Sequence, residues 1–431
     1  MKVICRLFCL LLACALTIGI LAACRRIEEP VETETEAVTV TAESECEVAE
    51  TSEDVYDGYT LNGTPIGEYA VIFAQSSGVG GKGLAQSLVD AIKEKTGETL
   101  RLLNDNSEED GRKEIVVGNT KRTLPSVSPS YQNGDGYVLA ASEGRVFVFG
   151  ANTVCTVKAI QAFEDLLFSL KEGERELSIE TKSYADPDTS LVAMSFNVWV
   201  NAASWQQRAP SVLSVINSAC PDTFGVQEAD GKWMTYLSEH LPDYAYVGEG
   251  RNGGTSGEYS AVFYRTDVFT LLESDTKWLS DTPDLVSKYE ESSYRRIFTY
   301  ALLERKSDGK KIMHVNTHLD HTSAEARKKQ TAVLVSFLNQ HKDVPVLVSG
   351  DFNATLFATD IAGMLNAGFE TSAKVALSSD GMAATFSTKV IDYIFVREKT
   401  VKVYEYRVDR SKPNGIQPSD HNPIYIRYDL A

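Results

Sequence analysis

Between Leu191 and Tyr428 the chain returns again and again to a short apolar run that stops on a polar side chain. The runs are Leu191 to Phe196, Thr223 to Val226, Ser260 to Tyr264, Thr299 to Leu303, Lys311 to Asn316, Val344 to Ser349, Val390 to Val396 and Pro423 to Tyr428. Runs of this length, bounded by turn-forming residues, read as strands. Between them the apolar spacing becomes helical at Trp205 to Ala219 and at Ser323 to Gln340. Many of the strands are apolar throughout, as strands are when helices cover the sheet.

The residues at the strand ends carry the chemistry. Ser195-Phe196-Asn197 closes the first strand and Val226-Gln227-Glu228 the second. Asn316-Thr317-His318 and Ser349-Gly350-Asp351-Phe352-Asn353 close two more, Ile391-Asp392-Tyr393 opens another, and Ser419-Asp420-His421-Asn422-Pro423 opens the last. Alone, each has an ordinary structural role: an Asn after a strand suits a turn, and a Gly-Asp pair suits a turn or a helix cap. Together, carboxylates, amides and imidazoles at strand termini are what phosphoester chemistry needs. Mg²⁺ is a hard cation that takes oxygen ligands and keeps several waters, so one or two carboxylates and an amide suffice to hold it. No Cys/His spacing suited to tetrahedral Zn²⁺ is present.

The blocks S-F-N, Q-E, N-T-H-L-D, G-D-F-N, I-D-Y-I and S-D-H-N-P, in this order, resemble those of the endonuclease/exonuclease/phosphatase (DNase I-like) superfamily. The segments Gly257 to Arg265, Trp278 to Pro283 and Arg296 to Tyr300 are similar to a bacterial subgroup of metal-dependent hydrolases. The resemblance covers residues 189–431 and implies a four-layer α/β sandwich, two packed mixed sheets with helices outside. It implies Glu228 as the principal Mg²⁺ ligand (Mn²⁺ as a substitute), assisted by Asn197, with Asp420 completing the shell. Asp351 and Asn353 would orient or deprotonate the attacking water. His421 would act as base or phosphate ligand, held in one tautomer by Asp392. His318 would contact the phosphate or assist the leaving group, and Arg296 is a further candidate for a phosphate contact. The implied substrate is a phosphoester: nucleic acid, a phospholipid head group or a sugar phosphate. His240, His314, His321 and His341 are left structural, Lys328 and Lys329 are expected to face solvent, and Trp199 and Trp205 to pack the core.

Residues 58–185 read as a small α+β domain of their own. Strand-like runs occur at Tyr69 to Ala74, Glu114 to Gly118, Gly136 to Ala140 and Arg145 to Phe149, with helical spacing from Gly80 to Lys95 and from Val154 to Leu170. Gly97 is placed to end the first helix. Gly80-Gly81-Lys82-Gly83 lacks the spacing of a phosphate-binding loop and reads as a helix-start loop. Glu114 to Arg122 and Gly144 to Asn152 resemble the non-catalytic N-terminal domain of several glycoside hydrolases. The region from Tyr56 to Tyr184 contains no His. A spacer role is expected, with glycan contact as the functional alternative.

The first 24 residues read as a processing signal. Lys2 and Arg6 precede an apolar stretch from Leu7 to Ala23, and Leu21-Ala22-Ala23-Cys24 resembles a bacterial lipobox. The resemblance implies cleavage before Cys24, lipidation of its thiol, and an extracytoplasmic protein lipid-anchored to the bacterial cell membrane. Residues 25–57 hold 2 basic and 12 acidic side chains, and read as a disordered acidic tether. This placement matters because the whole chain carries a net charge of −18. From Thr189 onward 25 Lys and Arg face 29 Asp and Glu, a net of −4. The acidity therefore belongs mostly to the tether, and no basic footprint for long nucleic acid appears. Cys46, Cys155 and Cys220 remain after cleavage. Cys155 and Cys220 lie among apolar neighbours and are expected as buried thiols. The main expectation is thus a Mg²⁺-dependent phosphoesterase. The alternative is a glycan-binding surface protein with a vestigial phosphatase-like domain.

Overall fold

The computed structural model describes residues 56–75, 78–108, 113–122, 136–184, 189–200, 203–397 and 399–430. The leader, Cys24, Cys46 and nearly all of the acidic segment lie outside them.

The first half builds one six-stranded sheet. Strands β1 (Tyr69–Phe73), β2 (Arg101–Asn104), β3 (Lys113–Val117), β4 (Tyr137–Ser142), β5 (Arg145–Gly150) and β6 (Lys182–Tyr184) lie in the order β2-β1-β3-β5-β4-β6. The first four of that order run parallel. Helices α1 (Gly78–Thr96) and α2 (Thr153–Ser169) bury Leu84, Leu88, Ile160 and Phe163 against it. Asn152 caps α2 by accepting a hydrogen bond from the Cys155 amide at 2.9 Å. Gly97 follows α1 with φ of 81°, where a residue without Cβ is at no cost. Gly80 to Gly83 lie within the first turns of α1 rather than in a loop before it.

The second half forms two sheets packed face to face. The first holds β7 (Leu191–Asn197), β8 (Thr223–Gln227), β9 (Tyr244–Val247), β10 (Val262–Arg265), β16 (Ser378–Ser379), β18 (Val401–Val408) and β19 (Ile424–Leu430), ordered β9-β10-β8-β7-β19-β18-β16. The second holds β11 (Phe269–Trp278), β12 (Ile297–Arg305), β13 (Lys311–His318), β14 (Val346–Asp351), β15 (Phe369–Thr371) and β17 (Asp392–Arg397), ordered β11-β12-β13-β14-β17-β15. Helices α3 (Trp205–Ala219) and α4 (Gly231–His240) cover the first sheet through Val212, Ile216, Trp233 and Leu237. Helix α5 (Ala324–Gln340) covers the second through Leu334 and Leu338. The layers are helix, sheet, sheet, helix, as expected. Tyr404 of β18 joins the core of the N-terminal sheet, so the two halves are in contact.

Period-two alternation explains the inner layer. Leu191 and Ala193 of β7, Ile312 of β13 and Leu347 of β14 face the space between the sheets and form its apolar base. Further along the same strands the inward positions become polar: Ser195, Asn316 and Ser349, joined by Gln227 of β8. Gln227 Nε2 donates to Asn316 Oδ1 at 2.6 Å and to Ser195 Oγ at 3.2 Å, and Ser349 Oγ donates to Asn316 Oδ1 at 3.0 Å. His314 bridges Thr223 Oγ1 and Ser349 Oγ, each at 2.8 Å, and burial pushes its pKa down to about 3, so it is neutral. It is a structural histidine, as expected.

The sheets approach each other closely at Gly225. A Cβ there would stand 2.4 Å from Asn316 Oδ1 and 2.4 Å from Ser349 Oγ. We predict that Gly225→Ala destabilises the fold by about 1–3 kcal/mol, the range for overpacking a filled interior. An unchanged melting temperature would refute this.

One expectation fails here. Cys220 is exposed, not buried. It ends α3 in the left-handed conformation, φ 45°, where the chain turns out of the helix. Cys155 is buried as expected.

Candidate active site

The strand-end residues meet at one edge of the sandwich because of how the strands run. β7 and β8 are parallel, as are β13 and β14. Their carboxyl ends therefore lie together and present Asn197, Glu228, His318 and Asp351. β17 and β19 run antiparallel to β14 and β7, so their amino ends arrive at the same edge with Asp392 and the Asp420-His421 turn. Asn197, His318 and Asp351 are each two residues beyond Ser195, Asn316 and Ser349. They continue the same inward face, one step above the polar layer.

Asp351 stands at the centre. Asn197 Nδ2 donates to Asp351 Oδ2 and to Glu228 Oε1, both at 3.1 Å. Asp351 Oδ1 accepts from the Asn353 amide at 2.9 Å. Two imidazoles face Asp351 Oδ2, His318 Nε2 at 3.5 Å and His421 Nε2 at 3.7 Å. Asp392 grips His421 Nδ1 with both oxygens, at 2.9 and 3.1 Å, which leaves Nε2 pointing to the centre. Phe386 lies over the His421 ring at 4.6 Å. Asn353 Nδ2 donates to His318 Nε2 at 3.0 Å, a contact that requires a neutral His318.

Burial raises the Asp351 pKa to about 7, with the neighbouring Asp392 carboxylate adding to it. Burial alone would lower that of His421, but Asp392 and then Asp351 override it and hold the imidazole at about 10. His318 is depressed by burial and by Arg296, in keeping with its neutral form. The edge gathers the carboxylates of Glu228, Asp351, Asp392 and Asp420. All its anionic donors are oxygens, with no thiolate among the described residues. This fits a hard divalent cation: Glu228, His318 and Asp351 bring one ligand atom each within 4.8 Å of one another.

Three site segments contain left-handed residues: Trp199 at φ 58°, Glu228 at 57° and Asn353 at 49°. Such conformations cost non-glycine residues about 1–3 kcal/mol and persist where surrounding bonds over-determine them. Glu228 is fixed by Asn197 and by the Val200 amide, which donates to Oε2 at 3.0 Å. The twist aims its carboxylate across the strand end toward Asp351.

Asn197 and Asp420 take different places at this edge. Asn197 uses its amide nitrogen to bridge two carboxylates, and its Oδ1 accepts from the Trp199 amide at 3.0 Å. It therefore braces these two carboxylates. Asp420 is exposed at the rim; it senses Glu228 electrostatically but is in neither of the clusters centred on Asp351. Arg296 is buried beside His318, and His321 bonds to it at 3.3 Å. Lys328 is exposed, while Lys329 pairs with Glu291 at 2.6 Å. Trp205 packs on Trp233, and Trp199 lies under Arg208 at 4.6 Å.

Sequence reasoning missed Arg208, Arg251 and Glu258. Arg208 is a buried cation that donates to the carbonyls of Val198, Trp199 and Pro418 at 2.7–2.9 Å. Arg251 and Glu258 pair at 2.8 Å across the Gly-rich stretch between them. That stretch was a visible signal for a tight hairpin bringing the two together.

A layered α/β sandwich whose one edge gathers carboxylates, amides and two imidazoles defines a hydrolase of phosphate esters. The endonuclease/exonuclease/phosphatase family model matches residues 194–421, and the chain belongs to that family. Solved structures agree. A family member from Bacteroides vulgatus is 30% identical with a TM-score of 0.53, over 57% of this chain and 100% of that one. Another from Bacteroides thetaiotaomicron is 28% identical with a TM-score of 0.53, over 56% and 98%. A mannosyl-6-phosphatase of the same organism is 29% identical with a TM-score of 0.52, over 56% and 100%. No curated protein matches the chain.

Proposed function

We propose that this chain is a divalent-metal-assisted phosphoesterase at the outer face of a bacterial membrane, acting on small phosphate esters. The observation that carries the catalytic reading is the centre itself: a buried carboxylate, Asp351, faced by two imidazoles at 3.5 and 3.7 Å, one of them gripped by Asp392. A base with a pKa near the working pH is the most effective proton acceptor. Asp351 takes a proton from the attacking water, with Asn353 fixing its orientation through the backbone. His421, charged through Asp392, directs Nε2–H toward a phosphate oxygen and offsets charge as it builds. Asn197 keeps Glu228 and Asp351 at their spacing. Glu228, with the rim carboxylate Asp420, would hold Mg²⁺ or Mn²⁺, which when bound would neutralise phosphate charge.

Similarity to a mannosyl-6-phosphatase supports a sugar phosphate as the first substrate to test. The near-neutral charge of the C-terminal half supports a small substrate over long nucleic acid. The Cys24 anchor rests on the lipobox, and acyl chains there would contribute about 0.8 kcal/mol per buried CH₂ toward membrane binding. The N-terminal sheet serves as a spacer in this reading. The glycan-binding alternative with a vestigial site predicts no metal-dependent turnover.

Purified protein is expected to release phosphate from p-nitrophenyl phosphate or mannose 6-phosphate with Mg²⁺. Chelation should cut the rate by more than about tenfold, and Mn²⁺ or Mg²⁺ should restore it. A rate indifferent to chelation, or none on any phosphoester with either ion, would overturn the proposal.

A further inference from the structure

The N-terminal sheet carries a cleft that the chemistry above does not use. Strand β1 leads from its carboxyl end to β2 on one side, and β3 leads to β4 on the other. Where the outgoing connections of adjacent parallel strands diverge, a crevice opens outside the strand ends, and ligands of open α/β sheets bind there. Here Ala74 after β1, Gly118 and Asn119 after β3, and Ala151 and Asn152 after β5 line it. The C-terminal half supplies one wall, through Ser378 of β16 and Arg407 of β18. The seam beside that wall is packed. Leu377 and Tyr404 meet the core of the N-terminal sheet, and a Cβ on Gly83 of α1 would lie 3.4 Å from Leu377 O. Both halves therefore build the cleft. Its volume is about 270 Å³, many times the ~10–15 Å³ that holds one water and near the lower end of small-molecule sites, ~300–1,000 Å³.

The lining selects the ligand. Among its described residues Arg407 is the one charged side chain, and Glu405 at 2.7 Å and Asp380 at 3.7 Å neutralise it. The cleft thus offers no surplus charge to an ion. Its other polar side chains are amides and hydroxyls. Thr156 is used within the fold: its Oγ1 accepts from the Gly150 amide and donates to Asn152 O. Asn152 spends its oxygen on the α2 cap and keeps its NH₂ donors. The side chains of Asn119 and Thr153 make no hydrogen bond among the described residues. An amide and a hydroxyl each donate and accept, as a ligand hydroxyl also does. Leu84, Val117 and the two alanines add an apolar surface for the C–H face of a sugar ring. No aromatic side chain is in the described lining, so a planar ligand finds no stacking partner.

We propose that this cleft is a second ligand site that takes a neutral sugar of one or two rings. No residue of its lining belongs to the Asp351 centre, and the proposal does not depend on the phosphoesterase reading. Nor does it follow from the family likeness. The three solved relatives match 56–57% of this chain along 98–100% of their own length, so they hold no counterpart of the N-terminal sheet that forms most of the cleft. Asn119, Asn152 and Thr153 bond the sugar hydroxyls, and the docked C-terminal half completes the site.

The test is calorimetry on the full chain with unphosphorylated probes: D-mannose, D-glucose, D-galactose, N-acetyl-D-glucosamine, maltose and lactose. At least one should bind with a Kd of about 1 mM or tighter. Ala151→Phe, which fills the cleft, and Asn119→Ala, which removes an amide, should each weaken that sugar by at least about tenfold at an unchanged melting temperature. If Ala151→Phe does not fold, Asn119→Ala and Thr153→Val decide, because neither side chain bonds within the fold. A panel in which nothing reaches that affinity would overturn the proposal. So would binding that survives these substitutions, which places the sugar elsewhere. Sulfate binding more tightly than every sugar, and lost in the same variants, would make the cleft an anion site and overturn it as well.

Discussion

Replacing His421 by Gln is expected to lower kcat by about 10²–10⁴, the range for losing a positioned proton-transfer or charge-stabilising group. His421 is 5% exposed and makes its side-chain bonds to Asp392. Gln fills a similar space and can still bond to the carboxylate, so the fold should survive. What it lacks is a titratable ring that becomes cationic beside Asp392 and points Nε2–H at Asp351 from 3.7 Å. Asp392→Asn should lose a comparable factor, because the amide neither raises the imidazole pKa nor fixes its tautomer. The double variant should be scarcely worse than either single one, since groups that act as a unit are grossly non-additive. Steady-state kinetics on a phosphomonoester, with circular dichroism to confirm folding, decides this. Single variants within tenfold of wild type would remove His421 from the reaction. Fully multiplicative losses would show that the two residues act separately.

The active-site residues were legible because their positions obey strand parity. Asn197, His318 and Asp351 each follow an inward polar residue by two, so reading the strand ends also read the facing direction. The layer order was legible for a related reason: β7 and the opening of β14 are apolar on both faces. Other features depend on geometry that no local pattern carries. Glu228 reaches the centre only because its backbone is left-handed, a conformation the sequence gives no reason to expect of a Glu. Strand β11 escapes such a pattern because a bulge between Leu271 and Glu273 shifts its alternation, and half of its side chains are exposed. Helix α4 is short, and its Asp230 cap stands directly after the Glu228 turn, so the two signals overlap. The contacts of Asn197 depend on an amide orientation that the Trp199 amide helps to set. Arg208 reaches Pro418, 210 residues away in sequence. No periodicity reports such a contact.

That long reach makes Arg208 a residue whose removal should cost much stability. It is 4% exposed and makes no ion pair within 4 Å among the described residues. Its guanidinium is satisfied by three backbone carbonyls and by Ser204 Oγ at 2.9 Å, and its ring contacts are Trp199 and Trp233. The carbonyls belong to two loops. Val198 and Trp199 follow Asn197, and Pro418 precedes the Asp420-His421 turn, whose Ser419 Oγ also donates to Asn197 O at 2.7 Å. One cation therefore ties together the chain segments that carry Asn197, Asp420 and His421. Its charge also lies in the field of Asp420 and Glu228, which favours it over any neutral side chain. Arg208→Met keeps most of the stem but strands the carbonyls, each buried orphan costing about 1–3 kcal/mol. With partial access of water, a loss of about 3 kcal/mol is expected. At roughly 2–4 °C per kcal/mol for a body of this size or somewhat smaller, that lowers the melting temperature by about 6 °C or more. Below that temperature the folded variant should still lose activity, because the two loops no longer hold their spacing and a misplacement of about 1 Å can cost 10²-fold. Arg208→Lys offers fewer donors and a point charge, so it should recover part of the stability and less of the rate. A variant with native melting temperature and native kcat would show that the loops are positioned by their own packing, and that Arg208 is only a buried passenger.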